Sequence, residues 1–142
     1  LGRRVDEIQL KKSAERIQAL IQEQIDRGID SQRIIVAGFS QGGAVASHAA
    51  LTFPASLGGL LAMSTYFATA DNIDLAEANR QIPIEVQHGN FDPIVPESLG
   101  RSGADRLKEM GYAVNYRQYP MAHALCPQQV NDIGKWLSSR LS

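Results

Sequence analysis

The sequence predicts an α/β fold in a single domain over residues 1–142, with about four parallel strands and helices on both faces. Three observations carry this. Helical and strand-like segments alternate along the chain, which implies parallel strands joined by right-handed crossovers. The first two strand-like segments, residues 34–38 and 59–64, are short, nearly continuous apolar runs, as strands covered on both faces require. Between the first strand and the helix after it stands Gly38-Phe39-Ser40-Gln41-Gly42. Strand, G-x-S-x-G, helix is the context of a nucleophile elbow.

Taken in order, residues 3–27 read as one amphipathic helix with Val5, Ile8, Ala14, Ile17, Leu20, Ile21 and Ile25 on a stripe. Gly28 is its C′ stop. Residues 34–38 form the first strand, expected to be buried on both faces. The helix after Ser40 is built of small residues and ends near Phe53-Pro54. Residues 59–64 give a second apolar strand. The connection 66–80 carries a short helix around 75–79. Residues 83–89 are the third strand, and Asn90-Phe91-Asp92-Pro93 is turn chemistry. A helix over 97–110 stops at Gly111. Residues 113–119 alternate as a half-exposed edge strand. Pro127 suits the first turn of a last helix, with Val130, Ile133, Trp136, Leu137 and Leu141 inward.

Composition excludes several classes. The net charge is −1 with no basic or acidic block, which argues against nucleic-acid or membrane-surface partners. No stretch is long and apolar enough to cross a bilayer, and no signal peptide is visible. Cys126 is the only cysteine, so no internal disulfide forms, which fits a reducing cytoplasm. The chain begins at Leu1 rather than Met, the expectation being a processed, trimmed or partial chain.

The chemistry centres on Ser40. Chance gives a G-x-S-x-G in about one chain in twenty of this length, so context must support it. The flanking glycines are expected to let strand and helix approach. A serine hydroxyl needs a base to take its proton, and the base needs an anion to fix its tautomer. In elbow-type folds these follow in the order Ser, Asp or Glu, His. His123 alone satisfies that order. His48 lies inside the helix after the elbow and reads as a packing or surface residue. His88 precedes the acid and reads as a structural hydrogen bonder at a strand end. Asp92, in a turn just past a strand, is the candidate acid. Asp71 and Asp74 lie in the long connection, where they could cap the short helix, and Asp105 and Asp132 lie in helices and are expected to be solvated. Ser40, Asp92 and His123 follow the first, third and fourth strands, whose C-terminal ends share one sheet edge. Cys126 reads as a small buried hydrophobe. Metal-type ligand spacing and phosphate-binding glycine loops are missing, so no metal or cofactor is expected.

Gly38-Phe39-Ser40-Gln41-Gly42-Gly43-Ala44, His88-Gly89-x-x-Asp92, and Tyr119-Pro120-Met121-x-His123 with Cys126-Pro127 resemble the carboxylesterase and acyl-protein thioesterase family of α/β-hydrolases. Residues 59–66 and Asp132-Ile133-Gly134-x-Trp136-Leu137 resemble its bacterial carboxylesterases. The resemblance implies a catalytic triad with Ser40 as nucleophile, Asp92 as orienting acid and His123 as base, in the C-terminal part of the family fold. Ala122 stands where the family carries glycine. The family also has earlier strands and a His-Gly oxyanion loop, and neither is present in this sequence. The Gln41 backbone N–H is then one oxyanion donor and the second is unassigned. Ser64 and Tyr66 are candidate substrate-binding residues at an acyl pocket bordered by residues 60–66 and the 66–80 connection.

Two functions follow. The first is a serine hydrolase (carboxylesterase type) acting on a small ester or thioester. The alternative is a weak or inactive partial hydrolase that serves as an association module. The strand over 34–38 has no sequence-adjacent partner on one side. A homo-oligomer, or pairing with a separate N-terminal segment, is expected there.

Overall fold

A computed structural model describes residues 2–142, with side chains from Asp6 onward. Val5, expected on the first helix's stripe, has its side chain outside the described residues. The elements are α1 (Gly2–Asp26), β1 (Ile35–Phe39), α2 (Gln41–Leu51), β2 (Gly59–Met63), β3 (Ile84–Gly89), α3 (Glu97–Glu109), β4 (Val114–Tyr119) and α4 (Pro127–Leu141). The four strands form one parallel sheet in the order β1-β2-β3-β4. Short 3-10 turns occupy Ser31–Arg33 and Glu77–Asn79, the second where a short helix was expected.

The register explains the core. Val36, Leu60, Ile84 and Val114 stand side by side across the sheet. Side chains alternate along a strand, so Ala62, Val86 and Tyr116 share their face. That face packs under α2 and α3 through Ala46, Ala50, Ala104 and Leu107. Leu60 and Ile84 are nearly inaccessible, and truncating such a residue to Ala costs about 2–5 kcal/mol.

The opposite face is polar beneath α4. Glu85 is fully buried, accepting from Arg117 Nε at 2.8 Å and from Asn115 Nδ2 at 2.6 Å. Gln129 of α4 donates to Gln87 Oε1 at 3.0 Å. Trp136 lies over Gly59 so closely that no Cβ would fit there. This polar floor corrects the expected face of α4. Gln129 is its buried residue, Val130 is 55% exposed, and Ile133, Trp136, Leu137 and Leu141 are half-buried.

Two further expectations change. α1 packs along α2 in one narrow seam, so Leu10, Ala14 and Ile21 are buried while Ile8 and Leu20 remain exposed. The helix ends at Gly28 (φ +103), with Ile29 N–H donating to Gln24 O at 3.1 Å. β1 lies at an open edge as expected, but it is not buried on both faces. Among the described residues its neighbour is β2 alone, and Ala37 and Phe39 are exposed. β4, the other edge, is half-exposed as expected.

Candidate active site

The turn after β1 is built around a strained serine. Ser40 has φ 57 and ψ −128, a conformation that costs a non-glycine residue about 1–3 kcal/mol. The surroundings hold it there. Its N–H donates to Met63 O at 2.9 Å, and its carbonyl accepts from Gly43 N–H at 2.9 Å and from Thr65 Oγ1 at 2.5 Å. Its side chain makes no capping bond to α2, which leaves Oγ free.

The glycines divide the work differently from the motif. A Cβ at Gly38 would run into the backbone of Gly42 and Gly43, so strand and helix meet there. A Cβ on Gly42 would meet nothing within 4 Å, whereas one on Gly43 would strike Thr65. Gly43, outside the pentapeptide, is therefore the second indispensable glycine, and Gly42 is not.

Ser40, His123 and Asp92 converge at the C-terminal edge of the sheet. His123 Nδ1 lies 2.6 Å from Asp92 Oδ2, and His123 Nε2 lies 3.0 Å from Ser40 Oγ. A carboxylate only accepts, so Nδ1 carries the ring proton and Nε2 receives the serine O–H. The Phe39 ring, one residue before Ser40, packs against the imidazole with centroids 4.7 Å apart. Asp92 Oδ1 accepts from Ile94 N–H at 2.9 Å and Val95 N–H at 2.8 Å. Burial pushes the Asp92 carboxyl up. The hydrogen bonds from His123, Val95 and Ile94, with the His123 charge, outweigh it and hold the group below its ordinary range. Asp92 is thus anionic and aimed at one imidazole.

The remaining candidates lie elsewhere. His88 is fully buried and its Nε2 lies 2.7 Å from Val95 O, a structural bond as expected. His48 Nδ1 pairs with Thr69 Oγ1 at 2.8 Å. Asp71 pairs with Arg106 at 2.9 Å, and Asp74 and Asp105 are exposed. Asp132 is half-buried rather than solvated, because Tyr119 Oη donates to it at 2.8 Å. Cys126 is half-buried at the start of α4, not enclosed. Among the described residues no group of three or more His, Cys, Asp or Glu converges as metal ligands would.

An open cleft of about 1160 Å³ runs from Ser40 and Gln41 between α1, α3 and the connection after β2, with Tyr66, Phe67, Ile94 and Leu99 among its walls. Tyr66 therefore borders the cleft. Ser64 does not reach it. The chain turns back at Ser64 (φ 50), which leaves its side chain fully buried with Oγ unpartnered. Gln41 opens α2, and the first N–H groups of a helix have no intrahelical acceptor, so its N–H is available beside Ser40. Thr65, Phe39 and Gly43 were missed in the sequence. The signal within reach was adjacency to the elbow for Phe39 and Gly43. Thr65 had none, since it arrives from another strand.

The parallel sheet, helices on both faces and strand–serine–helix turn define an α/β-hydrolase-like fold. The chain belongs to the phospholipase/carboxylesterase family, whose profile matches residues 2–141. It is 39% identical over 137 residues to acyl-protein thioesterase 1 of Gibberella zeae, covering 93% of this chain and 58% of that protein. Against acyl-protein thioesterase 1 of Neurospora crassa it is 39% identical over 146 aligned residues, covering 99% and 60%. The structure of SOBER1 from Arabidopsis thaliana superposes with a TM-score of 0.86 at 25% identity, covering 94% of this chain and 65% of that one. Acyl-protein thioesterase 2 of Zea mays shares the fold, with a TM-score of 0.79 at 23% identity and coverage of 94% and 65%. The chain thus spans less than two thirds of the length of these relatives. Both of these acyl-protein thioesterase 1 relatives come from fungi, so the narrower likeness to bacterial carboxylesterases is not supported.

Proposed function

We propose that this chain carries the catalytic triad of a serine hydrolase that cleaves carboxylic esters or thioesters through an acyl-enzyme on Ser40. One observation carries it: a strained, uncapped serine hydroxyl 3.0 Å from an imidazole whose other nitrogen lies 2.6 Å from a buried carboxylate. Ser40 Oγ attacks the acyl carbon while its proton passes to His123 Nε2. Asp92 stabilises the imidazolium. The carbonyl oxygen, now anionic, accepts from the Gln41 N–H. Collapse expels the alcohol or thiol, which takes the proton from His123. Water then enters, gives a proton to His123 and releases the acid, and the proton returns to Ser40. One oxyanion donor is in hand, and loss of a second costs about 10²–10³ in turnover. Tyr66 borders the substrate cleft in this scheme.

The thioester half is supported by the relatives, which are named acyl-protein thioesterases. We further propose that residues 1–142 form one domain, the C-terminal part of the family fold, working in the cytoplasm. The β1 edge would pair with a second copy or with a preceding segment. An inactive association module would not need an anionic Asp92 aligned on His123. A fluorophosphonate probe tests the proposal. Peptide mass spectrometry should find the adduct on Ser40. A folded chain left unlabelled at excess probe overturns it.

A further inference from the structure

His88, next to last in β3, has its ring fully buried, yet no step of the ester chemistry uses it. Its Nε2 lies 2.7 Å from the Val95 carbonyl oxygen. A carbonyl only accepts, so Nε2 carries the ring proton and Nδ1 is a bare lone pair. That Nδ1 is buried without a partner, facing Gly100 of α3 so tightly that a Cβ there would collide with the ring. Burying an unpaired polar atom is unfavourable, and an apolar side chain would avoid it. The histidine is therefore explained by its other nitrogen.

That nitrogen holds the turn that carries Asp92. Val95 donates its N–H to Asp92 Oδ1 at 2.8 Å and gives its C=O to His88. Ile94 N–H adds a second bond to Oδ1 at 2.9 Å, which leaves Oδ2 for His123. The turn gets little help from packing on its outer side, where Phe91 is 70% and Ile94 67% exposed. Its near end is tied by Asn90 N–H to Tyr119 O at 2.8 Å and Phe91 N–H to Met121 O at 3.1 Å, whereas its far end is held through Val95 and the His88 bond. His88 Nε2 stands 3.6 Å from Asp92 Oδ2, too far for a hydrogen bond, so it does not compete with His123.

We propose that His88 is a positioning residue for Asp92, pinning the 92–95 turn so that the carboxylate holds His123 in its Nδ1–H tautomer. This rests on the triad reading above, and the test separates the two. In the full 142-residue chain, His88→Leu removes the donor, and His88→Gln keeps an N–H able to reach Val95 O. Ring ¹⁵N shifts of His123 report its tautomer without any turnover. The wild-type chain and His88→Gln should hold His123 as Nδ1–H, and His88→Leu should mix the tautomers. Ester turnover per probe-titrated Ser40 should fall about 10- to 100-fold in His88→Leu with KM little changed, the size expected when a catalytic group is misplaced by a fraction of an ångström to an ångström. Most of it should return in His88→Gln. If His88→Leu does not fold, His88→Asn, whose amide stops short of Val95, takes its place. A folded donorless variant with a wild-type tautomer overturns the proposal, as does a His88→Gln chain no better than His88→Leu. A wild-type chain with Nδ1–H His123 and no ester or thioester turnover refutes the hydrolase function while the tautomer comparison still decides the role of His88.

Discussion

The Thr65 hydroxyl donates a 2.5 Å hydrogen bond to the carbonyl oxygen of Ser40. Thr65 stands just past β2, 25 residues from Ser40, and its side chain also packs against Gly43. It thus buttresses a residue held at φ 57. Thr65→Val keeps the shape and removes the donor. The elbow should relax, with the fluorophosphonate labelling rate of Ser40 falling about tenfold, the worth of one hydrogen bond of about 1–1.5 kcal/mol. Thr65→Ser should retain most of the rate. Equal rates in the threonine and valine chains would refute the buttress.

Ser40→Ala should abolish p-nitrophenyl ester hydrolysis and leave the fold intact, because Oγ is spent on His123 and not on capping α2. Hydrolysis by the purified variant at the parental rate would exclude Ser40 as nucleophile. Circular dichroism should be superimposable on that of the parent.

Asp92→Asn should cost far more than Asp71→Asn or Asp74→Asn. Only Asp92 meets His123, at 2.6 Å, while Asp71 pairs with Arg106 and Asp74 is exposed. An asparagine there favours the wrong imidazole tautomer, a change that costs about 10⁴ in turnover in a well-studied serine protease. Comparable losses at all three positions would point to general electrostatics.

These three catalytic candidates were legible in the sequence because an all-parallel sheet sends every strand's C-terminus to one edge. A motif after the first strand, an aspartate after the third and a histidine after the fourth then meet without further information. What escaped depends on contacts between distant segments. Nothing in Ser64-Thr65 foretells that one side chain is sealed in while its neighbour braces the elbow. The period of α4 points to Val130. Gln129 is buried instead because Gln87 and Glu85 lie on the sheet face it covers, a fact of register. The glycine motif names Gly42, although the steric demand falls on Gly38 and Gly43. Gly42→Ala should therefore be tolerated in thermal melts where Gly38→Ala and Gly43→Ala are not.

Stability should fall in two stages on acidification. Burial, with the charge of Lys11 behind it, holds His48 below its ordinary pKa of 6.5. The unfolded chain then binds the proton more readily, so stability is present above 6.5, declines as pH falls below it, and levels off once the folded pKa is passed. Asp92 is held below its ordinary 3.8, so its contribution persists above 3.8 and is lost as pH falls through the lower folded value. Urea midpoints across this range should decline first near the histidine range and again at more acid pH. His48→Gln should flatten the first decline alone. An unchanged first decline in that variant would assign it to another group.

The β1 edge should govern the state of the 142-residue chain in solution. β1 pairs with β2 on one side, and among the described residues nothing covers its other edge. Ala37 and Phe39 are exposed on the strand, beside a half-buried Ile35. Parallel sheets are nearly always covered, and an apolar edge with free N–H and C=O groups templates another strand. Two copies meeting edge to edge about a two-fold axis would satisfy both edges with the same residues. Light scattering should therefore find self-association that grows with concentration. Ala37→Lys puts a charge on the exposed strand without entering the core on the α2 side, and it should return the chain to a monomer with Ser40 labelling intact. A parent chain that stays monomeric at high concentration would refute pairing of β1 with a second copy and leave a preceding segment as its partner. Association that survives Ala37→Lys would move the interface elsewhere, with the exposed Phe91 and Ile94 around Asp92 the next surface to substitute.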